Sequence, residues 1–232
     1  MNPEVLSWTG AVLEGALSTI EIAVLSYLIA ILLGIASAIA SLSKIGIFRN
    51  LSNAYTSMVR AVPELVLIII LYYAGSQLLT MAMRWYFGES SNVVEFNGFV
   101  TAVGVLALVQ GAYMSEVFRG AIQAIPSNLL ETADAFGITR PIRFFRITIP
   151  CMMPNVIPGI SNLWLMLLKD TALISIVGYQ ELFFTIQQAA ASTQMYFTFY
   201  LLAGAIYLLI SLLSVALFSR LETYVRRGEP AR

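Results

Sequence analysis

Glu131-Thr132-Ala133-Asp134-Ala135-Phe136-Gly137, running on to Ile147-Thr148-Ile149-Pro150, is a charged, amphipathic stretch in a chain that is otherwise oily. It occupies the longest polar connection between two hydrophobic runs. A membrane protein that places a helix-forming segment there offers a contact to something outside the bilayer. Pro126-Ser127 supplies a helix start, with Ser127 available to cap the first turn. Leu129, Leu130, Ala133 and Phe136 then make one apolar stripe. Gly137 suits a helix stop, because a left-handed conformation costs glycine little. Thr139-Arg140-Pro141 opens a second short helix with proline in its first turn. In that helix Phe144, Phe145 and Ile147 are apolar, while Arg140, Arg143 and Arg146 recur every third residue. The result is a compact knob with a hydrophobic side and a basic side. The same arginines would also suit a helix pair lying on lipid headgroups.

The composition around this stretch decides the class. Of 232 residues 59% are hydrophobic and 11% charged, against roughly 45–50% and about 25% in soluble domains. The chain is therefore an all-α integral membrane protein, and residues 1–232 are read as one domain. Its formal net charge is zero, which implies no nucleic-acid partner. It has no histidine, so Ser/His and Cys/His catalysis and HExxH zinc chemistry are excluded. The lone Cys151 rules out an intrachain disulfide and a CxxC metal site. No GxxxxGK followed by Ser or Thr occurs, so no nucleotide or other cofactor is expected in this chain.

Five runs approach the roughly 20 apolar residues that a transmembrane helix needs. They are Ile22–Leu42, Leu65–Met83, Phe99–Phe118, Cys151–Leu168 and Phe197–Phe218. The fourth is the least regular, because Pro154, Pro158 and Gly159 interrupt it. Residues 119–150 form the polar connection that holds the knob. Met1–Ser18 is acidic and lacks a long apolar core, so it is not read as a cleavable signal peptide.

Charge orients these spans. Five crossings put Lys44, Arg49, Arg60, Arg119, Arg140, Arg143, Arg146, Arg220, Arg226, Arg227 and Arg232 on one side, which is 11 of the 13 basic residues. Only Arg84 and Lys169 fall on the other. By the positive-inside rule the N-terminus is outside and the C-terminus cytosolic. Two segments do not span. Arg84–Asn97 reads as an outward loop with interfacial aromatics. Thr171–Ala191 carries Glu181, Gln187 and Gln188 and is broken at Gly178. It reads as a short helix dipping back from the outer surface, or as an ordinary outer connection.

At this point the knob resembles a known pattern. EAA, three residues, G, nine residues, then I-x-L-P marks the membrane subunits of bacterial ATP-binding cassette importers. Glu131, Ala133, Gly137, Ile147 and Pro150 match it with every spacing kept, while Thr132 and Ile149 depart mildly. Arg60-Ala61-Val62-Pro63, Gly111-Ala112-Tyr113 with Glu116 and Arg119-Gly120, and Lys169-Asp170-Thr171-Ala172-Leu173 extend the similarity over nearly the whole chain. Together they resemble the polar amino-acid uptake group, of the histidine, lysine/arginine/ornithine and opine permease type. The resemblance implies an inner-membrane permease with five transmembrane helices and a cytosolic coupling-helix loop. It further implies two ATPase subunits, a related second permease making a heterodimer, and a periplasmic substrate-binding protein. Glu131 to Pro150 would dock in a groove of the ATPase.

Polar residues inside spans are costly and usually functional. Glu64 follows Pro63. Gln110, Tyr113 and Glu116 recur on one face of the third span, and Asn162 interrupts the fourth. These are the candidates for a translocation path. If the acids face it, they favour cationic amino acids or opines carrying a guanidinium. Alternatively, Glu64 pairs with Arg60 and Glu116 with Arg119. Two other readings compete: a stand-alone secondary transporter, or an intramembrane enzyme. The first expects an internal repeat and more spans, neither of which is seen.

Overall fold

The computed structural model describes residues 6–87 and 98–226, and every regular element among them is helical. The long helices are α1 (Thr9–Ser41), α3 (Glu64–Phe87), α4 (Gly98–Gln123), α7 (Ile149–Asp170) and α9 (Tyr196–Val225). Shorter ones are α2 (Gly46–Ala61), α5 (Ser127–Ala135), α6 (Arg140–Arg143) and α8 (Leu182–Thr193). Five apolar columns are long enough to cross a membrane, as the sequence suggests. The expected loop over 84–97 lies beyond Phe87 outside the described residues, as do Arg227 and Arg232.

Boundaries differ where tertiary contacts extend a helix. α1 starts at Thr9 rather than Ile22. Its two acids do not stop it, because Glu14 and Glu21 stay on the exposed side while Val12, Gly15 and Thr19 are buried. The fourth column runs from Arg140 to Val177, well beyond 151–168. α7 carries Pro154 and Pro158 internally and is entered through a π turn, Phe144–Thr148. Pro150 has no N–H for the next backbone bond, and Ile149 N–H instead reaches Phe144 O. At the other end a 3₁₀ turn, Thr171–Val177, closes at Gly178 with φ +87°.

α2 was not expected; the first connection reads as polar from sequence. It is an amphipathic helix that buries Ser52, Thr56 and Val59. Hydroxyls tie it in: Ser115 Oγ donates to Ser37 Oγ at 3.0 Å, and Ser52 Oγ donates to Ser37 O at 2.8 Å.

α1 and α4 form the centre. α1 turns a stripe of Ala23, Ser26, Ala30, Gly34 and Ala38 inward, all buried. Small residues at this spacing let two backbones approach, which is how helices associate without a water-driven force. At Gly34 the approach is close enough that a β-carbon would lie 2.6 Å from Met114 Cβ. α7 joins through Tyr27, whose hydroxyl donates to Ile160 O at 2.9 Å and whose ring meets Trp164 edge-on. The residues of segment 171–191 are packed on protein: α8 is too short to cross a bilayer, and Leu182, Ile186, Ala189 and Ala190 are fully buried.

Candidate functional site

A polar cluster sits midway along α4, where no water-facing surface is needed to explain it. Gln110 is fully buried and its Nε2 donates to Asp170 Oδ2 at 2.8 Å. Asp170 ends α7 and is itself buried. The Glu64 carboxyl lies close enough to that of Asp170 for the two to interact electrostatically. The backbone explains how Glu64 arrives there. Val62 is extended, as the residue before a proline tends to be, so α2 ends and α3 restarts at Glu64. The new helix N-terminus favours an acid in its first turn. This break lies beside the middle of α4, so Glu64 stands at the level of Gln110 rather than at an end of that helix.

Two features mark the cluster as incomplete. Glu64 Oε1 and Gln110 Oε1 are buried without hydrogen-bond partners, and orphaned acceptors of this kind cost about 1–3 kcal/mol each. Two neighbouring carboxyls also repel unless a proton or a cation lies between them. The arrangement can therefore accept a donor-rich cation.

One turn further toward the Arg119 end of α4, Tyr113 is half-buried and lies within electrostatic range of Glu64, Asp170 and Arg60. Next comes Glu116, whose carboxylate is bound by Arg119 of its own helix and by Arg60 Nη1 of α2 at 3.4 Å. Glu64 therefore pairs with an acid rather than with Arg60, whereas Glu116 is held by two guanidiniums. Asn162 is exposed on α7, about 12 Å along the helix from Asp170 at 1.5 Å per residue. Among the described residues no hydrogen bond joins it to the cluster. Asp170 is the residue that sequence reasoning did not place among the path candidates. Its signals were a charged Lys169-Asp170 pair at the end of an apolar run and its place in the Lys169–Leu173 stretch that carries part of the resemblance.

The knob has the helix–glycine–helix form expected. α5 buries Ala133 and leaves Glu131 exposed. Ser127 is the first helical residue after Pro126, and no side chain caps this helix, contrary to its expected capping role. Gly137 has φ +71°; its N–H bonds Asp134 O at 3.0 Å and Ile138 N–H bonds Ala133 O at 3.1 Å, the paired bonds of a Schellman stop. Arg143 pairs with Asp134 across the turn. Phe136 and Phe145 remain exposed, and Pro126, Leu129, Thr132, Ile138, Ile147 and Cys151 line a 680 Å³ depression on the knob. Ile147 lies inside the π turn, and Pro150 is exposed just after it.

Residues 30–227 match the family described as binding-protein-dependent transport system inner membrane component. The chain belongs to that family. The nopaline transport system permease protein NocQ of Agrobacterium fabrum (strain C58 / ATCC 33970) is 37% identical over 95% of this chain and 93% of its own. The histidine/lysine/arginine/ornithine transport system permease protein HisQ of Escherichia coli (strain K12) is 35% identical over 93% of each. Among solved structures, an amino acid ABC transporter with histidines superposes with a TM-score of 0.78 at 25% identity, covering 95% of this chain and 96% of that one. The methionine transporter MetNI shares the fold, with a TM-score of 0.69 at 17% identity over 98% of this chain and all of that one.

This inner membrane component is thus a transport subunit and not an enzyme, and it works with an ATPase and a substrate-binding protein. Neither the secondary transporter nor the intramembrane enzyme is favoured by these relatives.

Proposed function

We propose that this inner membrane component is one of two related permeases in an ATP-driven importer for a basic amino acid or an opine. Two ATPase subunits, the second permease and a periplasmic binding protein complete the complex. The observation that carries the substrate class is the nearness of Glu64 to Asp170 with the orphaned acceptors there, beside Gln110 and Tyr113 at mid-helix. A guanidinium or ammonium supplies both the charge and the donors that the cluster lacks. The named substrates of relatives such as NocQ and HisQ support the same class. Glu116 enters through its arginines and not as a free acid, and Asn162 is a candidate for the wall at another level of the path.

Glu131, Ala133, Gly137, Ile147 and Pro150 would form the ATPase contact, with the Schellman stop holding the two short helices at a fixed angle. The basic residues clustered at the knob and at the C-terminal end support a cytosolic knob and C-terminus with the N-terminus outside. The test is uptake into proteoliposomes holding the complete complex. Glu64→Gln is expected to lower uptake of a cationic substrate about 10- to 100-fold while a neutral analogue changes little. Equal loss of both at normal assembly would remove the acids from the path. Ion-driven accumulation by this chain alone would overturn the importer-subunit assignment.

A further inference from the structure

The cluster has a second pole. Glu116 carries one negative charge and is bound by two guanidiniums, Arg60 and Arg119. This end of the site therefore has an excess of one positive charge. Arg60 spends only part of its five-donor fork on Glu116 at 3.4 Å, and half of its side chain is exposed. It also lies within electrostatic range of Tyr113, as Glu64 and Asp170 do. The acidic pole meets α4 at Gln110 and the basic pole at Glu116. At 1.5 Å per residue these levels are about 9 Å apart, with Tyr113 between them. That separation is comparable with the length of an extended arginine from its carboxylate to its guanidinium.

We infer that Arg60 anchors the substrate's α-carboxylate while Glu64 and Asp170 hold its cationic end. The permease would then recognise both charged ends of one molecule. A fork-shaped guanidinium suits a carboxylate better than an ammonium does, because it can bond both oxygens at once. Arg60 is held for this task from two directions: it closes the last turn of α2, and Glu116 orients it. Glu116 and Arg119 are positioning residues that fix the guanidinium and balance its charge. The inference rests on the proposed path through Glu64 and Asp170.

The experiment uses the complete membrane complex of both permeases and the ATPases in detergent, without the binding protein, so that only the permease selects. Radiolabelled arginine and agmatine, its decarboxylated analogue, are titrated at equilibrium. Arg60→Gln is expected to weaken arginine binding about 10- to 100-fold and to leave agmatine binding unchanged. Arg60→Lys should recover part of the loss. Glu64→Gln should weaken both ligands. Equal loss of arginine and agmatine in Arg60→Gln, or no loss of either while Glu64→Gln weakens both, overturns the anchor but leaves the acidic path standing. No change in Glu64→Gln overturns the path itself. Should Arg60→Gln fail to assemble, Glu116→Gln tests the same point by loosening the guanidinium that Glu116 orients. Arginine binding should then fall several-fold with agmatine binding unchanged, and equal loss of both, or no loss of arginine, would overturn the anchor.

Discussion

Two regions of this transporter subunit bury acids, and they treat them in opposite ways. Where α1, α8 and α9 meet, Glu181 is fully buried and saturated: Oε1 accepts from Phe184 N–H at 2.9 Å, and Oε2 accepts from Thr19 at 3.0 Å and Tyr207 at 3.2 Å. Thr19 in turn accepts from Leu182 N–H at 3.1 Å. One carboxyl thus starts α8 and ties it to α1 and α9. Midway along α4 Asp170 receives, among the described residues, one side-chain donor, lies near a second acid, and has orphaned acceptors beside it. The first acid is a finished structural joint. The second pair is a joint left open, which calls for an explanation other than packing.

The largest effect that could break this comparison is on transport. Asp170→Asn keeps the shape and the bond to Gln110 while removing charge, so cationic uptake by the complete complex should fall about 10- to 100-fold at normal assembly. Unchanged uptake would make Asp170 as structural as Glu181. Next, Glu181→Ala strands Phe184 N–H and the hydroxyls of Thr19 and Tyr207, at a cost of about 3 kcal/mol. Thermal or denaturant melting of the purified complex should register this, with uptake per assembled complex retained. Loss of uptake without loss of stability would reverse the assignment.

Gly137 sharpens the contrast, because its constraint lies in the backbone and not in any partner. A β-carbon there meets nothing within 4 Å, yet φ is +71°. Gly137→Val should cost about 1–3 kcal/mol of local strain and lower the amount of ATPase that co-purifies, with membrane insertion unaffected. Gly137→Ala should fall in between. Full ATPase recovery with Gly137→Val would mean that the turn tolerates change. The smallest effect is expected for Thr19→Val. It removes one of three donors to Glu181 and the acceptor of Leu182 N–H, and should cost about 1–2 kcal/mol in melting experiments, with no change in substrate preference.

The knob was legible in outline, though not in its Ser127 cap or its π turn, because its signals are local. A glycine that must turn left-handed, a proline in a first turn and an apolar stripe at helical spacing act through neighbours in sequence. Gln110 and Tyr113 were legible as polar residues in an apolar run. Asp170 was not, because Lys169 beside it makes the pair look like an ordinary charged helix end. Glu116 was visible, but its link to Arg60 joins α4 to a helix that the sequence presented as a loop. α2 hides because its polar face and short length carry no membrane signal, and Ser52 and Thr56 become buried only against α1 and α4.

By itself the sequence determined the class, the five apolar columns, the side that bears the basic residues and the form of the knob. Each of these follows from composition or from spacing of a few residues, where solvation and backbone geometry act directly. The tertiary structure alone decided which polar groups meet. Glu64, Gln110 and Asp170 come from three helices and converge because Pro63 breaks α2 from α3 beside the middle of α4. Close packing at Gly34 and Gly111, where a β-carbon would lie 2.6 Å from Met114 Cβ and 3.0 Å from Leu33 Cβ, brings α1 onto α4. Contacts between residues far apart in sequence depend on how closely backbones approach, and no local pattern carries that distance.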